Sequence, residues 1–172
     1  MMIEIVRLVH AALTDGTNGV NVKLAALALD GSDARPASVG DFRNVADHDL
    51  GAREGDATFP ALYTDVRQQA SAQGYATSGV RDGTVTVTVC YICESGVTAS
   101  NFRATDYTLR AVAKALHSQF WAGTGSDAAR KRNNIAIKNS PTMSISKVQQ
   151  SIGTGTMTGA VDITFQVRDL AP

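Results

Sequence analysis

Cys90-Tyr91-Ile92-Cys93 has the spacing of a redox or metal-binding pair. A redox pair of this kind sits at a helix N-terminus, where the helix dipole lowers a thiol pKa. Here it ends the alternating run TVTVTVCYIC at 84–93, and an offset of three puts the two sulfurs on opposite faces of a strand. A zinc site would need two more ligands within tetrahedral reach, and the chain has no second cysteine pair. The expectation is two structural thiols.

His10, His48 and His117 are far apart in sequence. His117 shares the polar side of its segment with Arg110 and Lys114, and His10 flanks an apolar stripe as a packing residue. Asp47-His48-Asp49 offers three potential ligands, but adjacent residues rarely converge on one ion unaided, so no metal site is assigned. Serine is common, yet no Gly-x-Ser-x-Gly elbow occurs.

Two glycine-rich segments imitate phosphate loops. Gly123-Thr124-Gly125-Ser126-Asp127-Ala128 spells Gly-x-Gly-x-x-Ala, but it follows a helical pattern where the dinucleotide fingerprint follows a strand. Gly153 to Gly159 lacks the Lys-Ser/Thr ending of a P-loop. Both read as turns. Arg130-Lys131-Arg132 is the one concentrated basic run, without interleaved aromatics. It reads as a solvated loop or as a segment that docks on an acidic surface, such as residues 41–56 of a neighbouring copy.

Composition narrows the classes. Sixteen Lys+Arg balance sixteen Asp+Glu over 172 residues, which argues against a nucleic-acid coat protein. Two cysteines cannot staple a secreted disulfide module. The opening MMIEIVRLVHAALTDG has acidic Glu4 and amphipathic spacing in place of a signal peptide, and no run approaches 18 apolar residues. The reading is one soluble domain spanning residues 1–172. The neutral total hides an asymmetry: residues 1–86 hold seven Lys+Arg and eleven Asp+Glu, and residues 87–172 hold nine and five. If the halves face different ways, copies could meet head-to-tail, a contact that closes into rings or grows into filaments.

The elements that would position these residues follow from periodicity. Ile3, Val6, Val9 and Leu13 predict a helix over 2–14, ended by Asp15-Gly16 with a left-handed glycine. VNVKLAALAL at 20–29 suits a short buried helix, though strand is equally compatible, and Thr17-Asn18-Gly19 joins the two as a turn. Residues 31–58 read as a long polar loop. Phe59-Pro60-Ala61-Leu62-Tyr63 begins a strand, Arg81-Asp82-Gly83 predicts a turn, and Val85, Val87, Val89 and Tyr91 form one face of the clearest strand. A helix follows at about 105–121, with Thr105 or Asp106 as N-cap, an apolar stripe of Leu109, Val112, Ala113, Leu116 and Phe120, and an end at Gly123. Beta patterning closes the chain at 135–138, 143–148 and 160–169, with a turn at 153–159, so 143–168 is expected to be a long hairpin. The fold class is α+β: a mainly antiparallel sheet, amphipathic helices on one face, and a long C-terminal hairpin.

This element order resembles the tail terminator proteins of long-tailed bacteriophages. The likeness is strongest over 59–121 and 159–168: Phe59-Pro60-Ala61-Leu62 beginning a strand, Thr84 to Cys93, the helix with Leu109, Val112 and Leu116, and a terminal strand ending Val167-Arg168. The loop at 31–58 and the stretch 94–104 are longer than the family pattern. The resemblance implies a hexameric ring that caps the tail tube and joins it to the head, leaving a channel for DNA. It implies no catalytic residue, cofactor or metal. The partners would be further copies of itself, the tail tube protein and a neck or connector protein, with DNA only in transit and no membrane. The place would be the tail–head junction of the virion, after host cytoplasm. Contact surfaces would be the 31–58 loop (Asp41, Arg43, Asp47, Asp49, Arg53, Glu54), the 123–134 loop (Arg130, Lys131, Arg132) and the hairpin tip (Gly153, Gly155, Met157). Another neck, stopper or tail-completion protein is the alternative within this class. Outside it stand a ligand-binding or adaptor module and a small hydrolase or transferase. The enzyme would show a pocket where His10, His48 or His117 meets a carboxylate and a nucleophile.

Overall fold

The apolar period at the N-terminus forms helix α1 (Met2–Thr14), whose buried stripe is Ile5, Val6, Val9, Ala12 and Leu13. This computed structural model describes residues 2–47, 58–71, 81–94, 99–121, 131–132, 135–137, 140–146, 149–151 and 156–169. Ile3 falls outside the expected stripe and is 51% exposed. At about 100° per residue it lies roughly 120° around the helix from Val9. Gly16 does not end the helix in a left-handed conformation; among the described glycines only Gly31 has positive φ. The Asp15 carboxylate does that work instead, accepting the N–H groups of Thr17 and Asn18. Helix α2 (Val20–Ala25) follows, with Val20 and Leu24 buried. The 20–29 ambiguity thus resolves as helix.

The 31–58 stretch is not wholly loop. Strand β1 (Asp41–Asn44) pairs in parallel with β2 (Ala61–Ser71), from Asp41 opposite Ala61 to Asn44 opposite Thr64. Four residues are too few to display an alternating pattern, which hid the strand in the sequence. Nor is Arg81-Asp82-Gly83 a turn. It begins strand β3 (Arg81–Glu94), and it is held there by a full-length antiparallel register with β8 (Thr156–Asp169). Arg168 grips the Asp82 carboxylate across that pairing through Nε at 2.8 Å and Nη2 at 3.2 Å.

Helix α3 (Ala99–Phe120) starts before the expected 105 and ends before Gly123. Thr105 and Asp106 therefore lie inside it, and the Thr105 hydroxyl donates back to the Asn101 carbonyl at 2.9 Å rather than capping. The buried stripe includes Leu109, Val112, Leu116 and Phe120 as expected, with Ala111 and Ala115 in it and Ala113 only half-buried. Arg110, Lys114 and His117 are exposed, as read from the sequence.

Strands β4 (Lys131–Arg132), β5 (Ile135–Ile137), β6 (Thr142–Ile145) and β7 (Gln149–Ser151) complete the sheet. Its order is β1-β2-β3-β8-β5-β4, and β6 and β7 also pair with β8. Every pair except β1–β2 is antiparallel. Strands β5, β6 and β7 run end to end along one side of β8, so the expected C-terminal hairpin exists with an interrupted first arm. From Ile145↔Val161 to Gln149↔Thr158 the register advances four residues on one side and three on β8. The hairpin turn is narrower than 153–159, because residues 156–159 belong to β8.

The three helices cover one face of this sheet. Val85, Val87, Val89 and Tyr91 of β3 and Val161, Ile163, Phe165 and Val167 of β8 join the helix stripes in one core. The Phe120 ring meets Phe165 edge-on at 5.0 Å. Among the described residues no helix is long and apolar enough to cross a membrane.

Candidate functional site

The helix-free face of the sheet is where alternation places polar side chains. Register lines up Asp65, Thr88, Asp162 and Ser144 in one row across β2, β3, β8 and β6. The Thr88 hydroxyl donates to Asp162 Oδ1 at 2.5 Å. In the neighbouring row Thr86 and Thr164 share a hydroxyl–hydroxyl bond of 2.9 Å. Beyond, Ala61 and Tyr63 form a small second cluster with Phe59, Cys90 and Ile92. A shallow cavity of about 320 Å³ lies here, lined by Tyr63, Asp65, Val66, Thr88, Cys90, Ala160 and Asp162. It holds two carboxylates, a thiol and hydroxyls but no histidine. Asp65 and Asp162 were not singled out in the sequence, because only strand register reveals that they flank one threonine.

The two cysteines separate as their spacing requires. Cys90 belongs to the helix-free face, whereas Cys93 packs on the main core, 3.7 Å from Thr105 Oγ1, and neither is in a disulfide. Tyr91 between them has its hydroxyl pKa pushed up, foremost by burial. Among the described residues no group of three His, Cys, Asp or Glu could hold a metal ion.

The expected contact residues distribute over the two ends of the sheet. Asp41 and Arg43 lie on edge strand β1 and form an ion pair at 2.9 Å. Asp47, just beyond β1, meets Arg7 of α1 at 2.8 Å. That hydrogen bond, helped by Asn44, holds the Asp47 carboxyl below the usual carboxylate range and raises Arg7. Lys131 and Arg132 form β4 at the opposite end. Met157 is a correction: it is 3% exposed, within β8, where its sulfur lies 3.3 Å from the Thr105 hydroxyl oxygen. The apolar side of β8 captures it, so it is no hairpin-tip residue. His48, Asp49, Arg53, Glu54, Arg130, Gly153 and Gly155 lie outside the described residues, as does the 123–128 glycine segment.

No protein-family model matches the chain, and no curated protein sequence matches it. The functional reading therefore rests on the architecture itself.

Proposed function

We propose that this chain is a structural virion protein of the tail terminator type. It would form a ring that caps the tail tube, join the tube to the head or neck, and leave a channel for DNA. The observation that carries the reading is the one-sided layering: among the described residues the helices bury one face of an open sheet, and no helix packs on the other face or strand pairs beyond β1 and β4. An open sheet with free edges must manage them, and assembly with further copies is one way. The element order that suggested the family also persists, with a strand beginning after Pro60, the Thr/Val strand, the long helix and the closing hairpin. Neutral net charge suits a conduit, since each basic contact to DNA adds a counterion-release contribution that would slow passage. No catalytic residue, cofactor or metal takes part in this role. The partners are the same chain, the tail tube protein and a neck or connector protein, at the tail–head junction.

Native mass measurement, alone and with tail tubes, tests this. Six copies of 18.1 kDa give a species of about 109 kDa, and electron microscopy should place it at tube ends. A chain that stays monomeric both alone and with tubes overturns the proposal.

A further inference from the structure

Strand β6 (Thr142–Ile145) is an edge that its own sequence leaves unguarded. It pairs with β8, and among the described residues no strand pairs with its other side. Ser146 donates its N–H to the Ala160 carbonyl at 2.8 Å, which continues the β6–β8 register by one residue. Bonded residues alternate along an antiparallel ladder, so Thr142, Ser144 and Ser146 direct their backbone groups to β8. Met143 and Ile145 direct theirs outward. Side chains follow the same period. Met143, opposite Ile163, packs on the helix-covered core, and Ile145, opposite Val161, shares that face but is 49% exposed. Thr142, Ser144 and Ser146 are exposed.

The other described edges carry charge. Strand β1 contains Asp41 and Arg43, β4 is Lys131-Arg132, and the part of β2 that β1 leaves uncovered contains Asp65 and Arg67. Charge or proline within an edge strand is how monomeric proteins stop it from pairing. Strand β6 has neither. Strand β7, equally uncharged, offers Gln149, Gln150 and Ser151 and no apolar side chain to bury.

We infer that β6 pairs with β6 of a second copy, antiparallel, about a two-fold axis through Ser144. The occupant follows from the pattern Thr142-Met143-Ser144-Ile145-Ser146, which alternates polar and apolar identically in both directions. Reversal about Ser144 sets Met143 against Ile145 and Thr142 against Ser146, apolar on apolar and polar on polar, with no like charges opposed. The outward N–H and C=O groups of Met143 and Ile145 then bond each other across the axis, and the sheet of one copy continues into that of the other. The same axis brings Met143 of one copy beside the exposed Ile145 of the other. Such a contact uses one patch on both copies and closes at two. It goes beyond the ring reading and does not rest on it, because head-to-tail neighbours in a ring meet through two different patches.

Cysteine cross-linking tests the pairing and its register. In Ser144→Cys the two new thiols face each other as a non-bonded pair, with Cα atoms about 4.5 Å apart and within disulfide reach. Mild oxidation should turn this variant into a covalent dimer of about 36 kDa on a non-reducing gel, twice the 18.1 kDa chain. Thr142→Cys, displaced from the axis on both copies, should stay at single-chain mass. Adding Ile145→Lys to Ser144→Cys should abolish the cross-link, because it places a charge on the edge. Circular dichroism should show that variant folded, since residue 145 is exposed. Equal cross-linking at 142 and 144, or a 144 cross-link that survives Ile145→Lys, overturns the two-fold register. Absence of any Ser144→Cys dimer overturns the pairing itself. Failure of the wild type to form rings on tail tubes overturns the ring reading and leaves this one, since the pair is read without tubes.

Discussion

Leu109 of α3 packs directly on the backbone of Gly159 in β8: a Cβ built at 159 would sit 2.6 Å from Leu109 Cδ1. Helix and strand approach this closely only because the strand residue has no side chain. Gly159→Ala should destabilise the protein by about 1–3 kcal/mol through overpacking, measured by urea unfolding. Leu109→Ala alone should cost about 2–5 kcal/mol. The double variant should lose less than the two costs added, because the new methyl occupies space the leucine vacates. Strict additivity would show that the contact does not constrain residue 159.

Asn44 ends β1 with its side chain 1% exposed, and its Oδ1 accepts the N–H groups of Ala46 and Asp47, both at 3.0 Å. Removing that acceptor leaves the turn with its longer backbone bond, from the Asp47 N–H to the Asn44 carbonyl at 3.3 Å. Asn44→Ala should cost about 1–3 kcal/mol. Amide exchange at Ala46 and Asp47 should speed up more than at the core strands, and uniform exchange across the protein would count against a local role.

Periodicity made the long elements legible. Helix α1, the Val85–Tyr91 face and the Val161–Val167 face follow from spacing alone, since each repeats a burial pattern over several turns or pleats. What spacing does not encode is register. Asp82 looks like a turn residue beside Gly83 until Arg168 is set opposite it, and Met157 looks like a loop residue until β8 is extended to Thr156. Strand β1 was hidden because its partner lies 20 residues on, in parallel, where no local signal exists. The same holds for the candidate surfaces. Lys131 and Arg132 stand out as a basic run, but their place at the far edge from β1 depends on the order of strands between them.

Asp47 and Arg7 provide a titration that reports on how β1 docks to α1. The Arg7 hydrogen bond holds Asp47 below its ordinary value of about 3.9. Native-state pairing therefore contributes stability above that ordinary value, and the contribution is lost as pH falls through the lower native value. Both groups are exposed, so the effect on stability is small and screened by salt. In Arg7→Gln the Asp47 carboxyl should titrate at higher pH, followed by carbon-detected NMR. An unchanged midpoint would mean that the pair does not persist in solution.

The Thr88–Asp162 bond ties β3 to β8 on the helix-free face of the sheet. It pairs these two side chains within the chain at 2.5 Å, as the Thr86–Thr164 bond does in the row beside it. A face whose polar groups already pair across strands stabilises the sheet and has less to gain from a partner. Thr88→Val keeps the shape and the β propensity but leaves Asp162 without this donor, which should cost about 1–2 kcal/mol. Native mass should stay that of the wild type under conditions where the variant is folded, because the edge strands are untouched. A Thr88→Val variant that is folded yet loses the wild-type mass would instead make this face the one through which copies meet.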